Sequence, residues 1–185
     1  MRAGSNGAPT DGATAVQDAL YAAAQLLGYP DAAWRAQLAD IDPLITSLDA
    51  KDARTLGAFV EHARACDARA FESAYVDTFD FGKKTSMCLA GSEDEAASKS
   101  DMLSYAVCFT EAGYTTQQES PDYLPALLEL ASAVDADEAV RVLHACEPAA
   151  SRLSHELKAV GSNDYAKLID CVSAWTRRLE SEVAA

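Results

Sequence analysis

The chain reads as an all-α domain, a single compact bundle of helices packed ridge into groove. Three observations carry that reading. Apolar residues recur three and four positions apart nearly throughout, as one face of an α-helix requires. No N-G hairpin, convincing pair of strands or internal repeat interrupts them. The 185 residues are 49% hydrophobic and 24% charged, a globular composition long enough to bury a core without disulfides or metal. We expect residues 1–12 to form a flexible tail and residues 13–185 to form the domain.

The elements follow in order. Asp11 or Thr14 can cap a first helix through Leu20, Ala24 and Leu27, which Gly28 ends. Tyr29-Pro30-Asp31 is a turn, because Pro30 has a fixed φ and restricts Tyr29. Pro30 also suits the start of a helix carrying Trp34 and Leu38. Asp42-Pro43 opens a short further helix with Leu44, Ile45 and Leu48. From Asp52 onward, Leu56, Phe59, Val60 and Ala63 form one helical face. Phe71, Tyr75, Val76 and Phe79 continue it. The aromatics and β-branches of 70–81 also suit a strand, but the i, i+4, i+8 spacing of Phe71, Tyr75 and Phe79 favours helix, with Phe81-Gly82 as its stop.

Residues 82–92 read as a loop with a basic pair, Lys83-Lys84, and Ser92 with Glu95 fits a capping box. Met102, Tyr105, Ala106 and Phe109 mark a helix ending near Gly113, and the polar stretch 114–120 reads as a mobile connection. Pro121 starts another helix with Leu124, Leu127, Leu128 and Ala131. Val140 and Leu143 mark a short helix, Pro148 breaks the chain, and Leu153, Leu157 and Val160 form one more stripe. Gly161 to Asp164 is a stop and restart. The last helix carries Tyr165, Leu168, Ile169, Val172, Trp175, Leu179 and Val183.

Composition narrows the function. The chain has 29 acidic and 15 basic residues, a net charge of −14. Such a surface repels phosphate backbones and anionic lipid, which argues against nucleic-acid and membrane-surface binding and suits solubility and basic partners. The five cysteines are odd in number, widely spaced and without a C-x-x-C, so a disulfide framework is not expected and a cytoplasmic setting is. No apolar run approaches the ~20 residues of a membrane span. The first twelve residues lack the apolar core of a signal peptide.

Motifs of catalysis are sparse. There is no G-x-G-x-x-G, P-loop, H-E-x-x-H or G-x-S-x-G. His144 and Cys146 point about 200° apart on a helix and cannot easily share an ion. His62 and Cys66 are i, i+4 and can face one way, though an exposed histidine beside a buried thiol is the plainer reading. Cys88 would be reactive if exposed on its loop, but the plainer reading is a small apolar residue tucked under it. Asp77 and Asp80, i and i+3, are spaced for acid–base work, but on the C-terminal half of a helix the plainer reading is that they face solvent or pair with a base such as Lys84.

Two segments are odder than a core needs. Residues 75–86, YVDTFDFGKKTS, alternate bulky aromatics with acids and end in bases. Residues 120–125, SPDYLP, bracket a turn with two prolines. Together they offer aromatic surface beside charge, as a peptide groove needs.

These segments resemble the delta-subunit family of respiratory nitrate reductase, the NarJ-type assembly chaperones of the wider TorD/DmsD-like group. The first is similar to the family's Y-V-x-T-F-D-F-x followed by two basic residues, one variable position and a serine. The second, SPDYLPALLE over 120–129, is similar to its L-P-D-H/Y-L-P-x-x-L-E. The early LLGYPD of 26–31 with Trp34 also matches, and all three come in the family's order. The chain departs where Ser120 replaces the family's leucine, and after Ser86, where Met87-Cys88-Leu89-Ala90-Gly91 and then acids stand in place of S-L-Y-L and a basic helix start.

The resemblance implies an all-helical cytoplasmic chaperone of the TorD-like type and no enzyme. It implies that the partner is the N-terminal segment of a molybdoenzyme catalytic subunit, held while molybdenum cofactor is inserted, with no cofactor bound stably by the chaperone itself. The candidate peptide-binding residues are Tyr75, Asp77, Thr78, Phe79, Asp80, Phe81 and Lys84 from the first motif. Pro121, Asp122, Tyr123, Leu124 and Pro125 join them from the second. In this reading the aromatics line a groove and the acids pair with bases flanking the client's apolar stretch. No metal ligand and no catalytic residue is assigned, and the chain acts as a monomer or dimer. Two other classes stay open at this level: a small helical metal-binding protein or enzyme using the thiols and acids, and a permanent structural subunit.

Overall fold

The computed structural model describes residues 11–79, 85–90, 95–116 and 119–185, with side chains from 14 and from 98 onward in the first and third stretches. Within these, eight helices follow one another: α1 (Asp11–Leu26), α2 (Ala32–Ser47), α3 (Ala50–Ala65), α4 (Ala68–Phe79), α5 (Glu95–Glu111), α6 (Leu124–Ala133), α7 (Ala136–Ala159) and α8 (Asn163–Val183). The all-α expectation is met. The one strand-like contact among the described residues is an isolated antiparallel bridge between Cys88 and Tyr123.

The helix starts draw on the acidic surplus. Asp31, Asp49 and Asp135 cap α2, α3 and α7, each carboxylate accepting from backbone N–H groups of the first turn. Asp67 does the same at the head of α4, accepting from Arg69 and Ala70 N–H at 3.1 and 3.0 Å. Each cap satisfies donors that a helix start would otherwise leave open. The cap of α3 is Asp49, and Asp52 is instead buried in the first turn.

The centre of the molecule is built from α1, α6, α7 and α8. The α7–α8 pair is the most extensive, α1 lies on α6, and α6 and α1 complete the set against α7 and α8. Ala19, Ala22 and Ala23 on α1 are fully buried, and their small size suits the close packing of α1 on α6, whose Leu124, Leu127 and Leu128 are fully buried in turn. Trp175 of α8 is wholly enclosed. Its Nε1–H donates to Asp52 Oδ2 at 3.0 Å, and Arg178 Nη1 donates to the same oxygen at 2.6 Å and to Asp49 Oδ2 at 2.7 Å. This tie fixes α3 on α8.

α2 and α3 flank this centre, and α5 packs on α7. Gly28, past the end of α1, leaves room for the Trp34 ring: a Cβ there would stand 3.3 Å from the Gln25 carbonyl oxygen and 3.5 Å from Trp34 Cδ1. Trp34 Nε1–H donates to that same carbonyl at 2.8 Å. α4 is different. Its backbone makes few close approaches to the other helices, and long aromatic side chains tie it down.

Three expectations drawn from prolines are corrected. α2 runs unbroken through Pro43, because its buried face (Trp34, Leu38, Ile41, Ile45) continues past a proline that lies on the exposed side. Arg64 of α3 donates to the Leu38 carbonyl at 3.1 Å and to Asp42 Oδ2 at 2.7 Å, supporting the helix beside the carbonyl that Pro43 leaves without a donor. α7 likewise runs through Pro148 as one helix of 24 residues, its buried stripe continuous from Val142 to Leu157. Pro121 does not start a helix; α6 begins at Leu124, with Pro125 in its first turn. Val76, Val160 and Val183, read with the apolar stripes, are exposed.

Candidate functional site

The two motifs meet in space. Residues 85–90 run antiparallel to the turn before α6: Leu89 N–H donates to the Asp122 carbonyl at 2.9 Å, and Leu124 N–H donates to the Met87 carbonyl at 2.8 Å. Thr85 Oγ1 donates to the Thr78 carbonyl, linking this strap to the end of α4. Tyr75 of the first motif and Tyr123 of the second lie within hydrogen-bonding reach of one another. Tyr75 also donates to the Leu27 carbonyl at 3.2 Å. Burial pushes both phenols above their ordinary range, Tyr75 further through its neighbour Tyr123.

Nine of the twelve candidate residues lie among the described residues. Tyr75 is buried. Phe79 is half-buried, its ring 4.9 Å from that of Tyr75 and 5.0 Å from that of Tyr165. Thr78 donates to the Ala74 carbonyl at 2.7 Å and stands 3.1 Å from Ser162 Oγ. Asp77 is exposed on α4. Pro121 and Tyr123 are half-buried. Leu124 and Pro125 lie in the buried face of α6. Asp122 is only 3% exposed; its Oδ2 accepts from Ala90 N–H at 3.0 Å, and its Oδ1 has no partner among the described residues. It pins the strap. Asp80, Phe81 and Lys84 lie outside the described residues, as do Gly82 and Ser92.

Cys88 corrects the expectation of a tucked thiol. In the bridged strap Met87 and Leu89 are buried and Cys88, between them, is exposed, because side chains alternate along extended backbone. Partial burial of its sulfur, then the Asp122 and Glu119 carboxylates, hold the thiol above its ordinary range, which works against thiolate reactivity.

A groove of about 340 Å³ opens where α4 stands off from the α7–α8 turn. Its walls are Phe59, His62 and Cys66 of α3, Asp67, then Ala70, Phe71, Ala74 and Thr78 of α4, and Gly161 to Tyr165. Gly161 makes this turn at φ +84°, a conformation costly for other residues. The floor is a ring cluster: Phe71 lies 6.2 Å from Phe59 and 6.4 Å from Tyr165, and Tyr165 lies 5.2 Å from Phe59 and 5.8 Å from Tyr75. Such edge-on and tilted pairs add to the area they bury. Phe71 also carries the Arg35 guanidinium on its face, 5.5 Å from the ring centre.

Of the proposed residues that are described, Thr78 alone lines this groove, with Tyr75 and Phe79 packed behind it through Tyr165. Reading the sequence placed Tyr165 among core positions and 161–164 as a mere turn. The usable signal was Phe71, one helical turn before Tyr75 on the same face. His62 and Cys66 do face one way, Nε2 3.5 Å from Sγ, and both open on the groove. Among the described residues no group of three or more His, Cys, Asp or Glu is arranged to hold a metal ion. No helix there is long and apolar enough to cross a membrane.

Fold and site together define an all-α domain with an aromatic-floored groove between α3, α4 and the head of α8. No protein-family model matches it. The chain is 34% identical over 155 residues to the probable nitrate reductase molybdenum cofactor assembly chaperone NarJ of Bacillus subtilis, covering 80% of this chain and 83% of that one. It is 32% identical over 155 residues to the NarJ chaperone of Escherichia coli K12, covering 79% of this chain and 64% of that one. A nitrate reductase-like protein NarX of Mycobacterium tuberculosis is 31% identical over 124 residues, 65% of this chain but 19% of that longer one. The chain belongs to the NarJ family of nitrate reductase molybdenum cofactor assembly chaperones.

Proposed function

We propose that this protein binds the N-terminal segment of the catalytic subunit of a nitrate reductase-like molybdoenzyme and holds it while molybdenum cofactor is inserted and the complex assembles. It does so in the cytoplasm, as a monomer or dimer, without turnover and without stably binding the cofactor itself. The observation that carries this reading is the aromatic groove beside α4, bordered by the first motif and joined through Tyr75 and Tyr123 to the second. An amphipathic client helix would set its apolar side chains against Phe71, Tyr165 and Ala74, with bases directed to the surrounding acids. Tyr75, Thr78, Phe79, Pro121, Tyr123, Leu124 and Pro125 shape this face or support it, Asp77 adds charge, Asp122 pins the strap beneath it, and the first motif alone assigns Asp80, Phe81 and Lys84 to client contact.

Calorimetric titration with N-terminal peptides of the molybdoenzyme catalytic subunits of the same genome tests it. One peptide saturating at a one-to-one ratio, with the others silent, is the expected outcome. Silence from every peptide with a folded protein would sink the reading.

A further inference from the structure

The groove itself says what it selects, an inference that rests on the chaperone reading above. Its floor is apolar, formed by Phe59, Phe71, Ala74 and Tyr165. Its rim is acidic: Asp67 and Asp164 line it, and no lysine or arginine does among the described residues. Asp67 is exposed, its carboxylate accepts from backbone N–H groups, and no cation among the described residues pairs with it. Asp164 meets Lys167 at 2.9 Å and His62 at 3.8 Å, all with side chains more than two-fifths exposed. Exposed pairs of this kind are weak and readily exchanged for a better-placed cation. The volume, about 340 Å³, is at the small end of ligand pockets and suits one or two side chains.

The geometry points to a subsite for one bulky apolar side chain of the client with a lysine or arginine beside it, the apolar group on the Phe71–Tyr165 floor and the cation between Asp67 and Asp164. This subsite sets the client's register, while the face made by the strap and Tyr123 is a separate contact. Acidic side chains are disfavoured there, because a carboxylate at this rim would meet two others.

Two cysteines report on the two faces. Cys66 lines the groove and Cys88 is exposed on the strap. The full chain is mixed with the client's N-terminal peptide and alkylated with iodoacetamide, and the rate at each cysteine is read by mass spectrometry. Slowing of Cys66 by about five-fold or more is expected at saturation. Replacing the peptide's basic residue by glutamine should weaken binding ~3–10-fold, and the Asp67→Asn, Asp164→Asn variant should weaken the native peptide equally but the glutamine peptide little. Asparagine preserves the cap at position 67, so folding is kept. Ala74→Trp, at an exposed position in the groove wall, should abolish protection of Cys66. Binding that leaves Cys66 unprotected, or that ignores both carboxylates, overturns the subsite and leaves the chaperone reading standing. No binding of any client peptide overturns both.

Discussion

Asp52 shows how much one acid can hold. It is 3% exposed, with Trp175 Nε1 and Arg178 on the same oxygen. Asp52→Ala would strand a buried indole donor and leave a guanidinium with one partner fewer. Arg178 keeps some water, so the charge contributes modestly and the orphaned donor dominates. The expected loss is about 2–3 kcal/mol, read from urea unfolding, with Asp52→Asn losing less because an acceptor remains.

Buried thiols and phenols give a second residue-scale prediction. Burial pushes Cys146 from 9.0 to about 12 and Cys171 from 9.0 to about 11, and Tyr105 from 10.0 to about 12. Tyr75 and Tyr165 shift the same way. In every case the folded state keeps its proton after the unfolded chain has released it. Their contribution is therefore complete below pH 9 and is lost as pH rises from about 9 to about 12. The thermal midpoint should be insensitive to these groups up to pH 9 and fall above it. Cys146→Ala should reduce the slope of that fall.

At the scale of elements, the prolines are instructive. A proline inside a helix costs ~3 kcal/mol relative to alanine, which is why Pro43 and Pro148 read as breaks. Both helices cross them because their buried faces are continuous and the rings lie on the exposed side. Burying one Leu or Phe contributes ~1.5–3 kcal/mol, and several such residues lie on each side of the break. Pro148→Ala should therefore stabilise the protein by about 2 kcal/mol after the greater freedom of the unfolded chain is subtracted, raising Tm by ~4–8 °C in calorimetry. The strap is the opposite case. Six residues with no periodicity took their conformation from Asp122 and the α6 turn, and no local pattern announces that.

For the whole molecule, the charge of −14 acts at long range. If the client's segment is basic, its association should be electrostatically steered. Raising salt from 50 to 500 mM should slow association about ten-fold and change dissociation little, a split that stopped-flow or surface-bound kinetics resolves. Part of the same acidity is local, in the caps of α2, α3, α4 and α7.

The sequence by itself determined the helical class, the apolar faces of α1, α3, α6 and α8, the turn at Gly161 and the family, because these depend on residues within a few positions of each other and on motifs carried intact. Tertiary structure alone decided that Pro43 and Pro148 are passed over, that Asp122 is buried to hold a strap, that Cys88 faces outward and that α4 stands away from α8. Those outcomes depend on which surfaces meet across tens of residues. Phe71 and Tyr165, 94 positions apart, share one groove floor because three helices happen to close around them. Periodicity shows that a residue has an inner face, but only the packing of the other helices shows what that face touches.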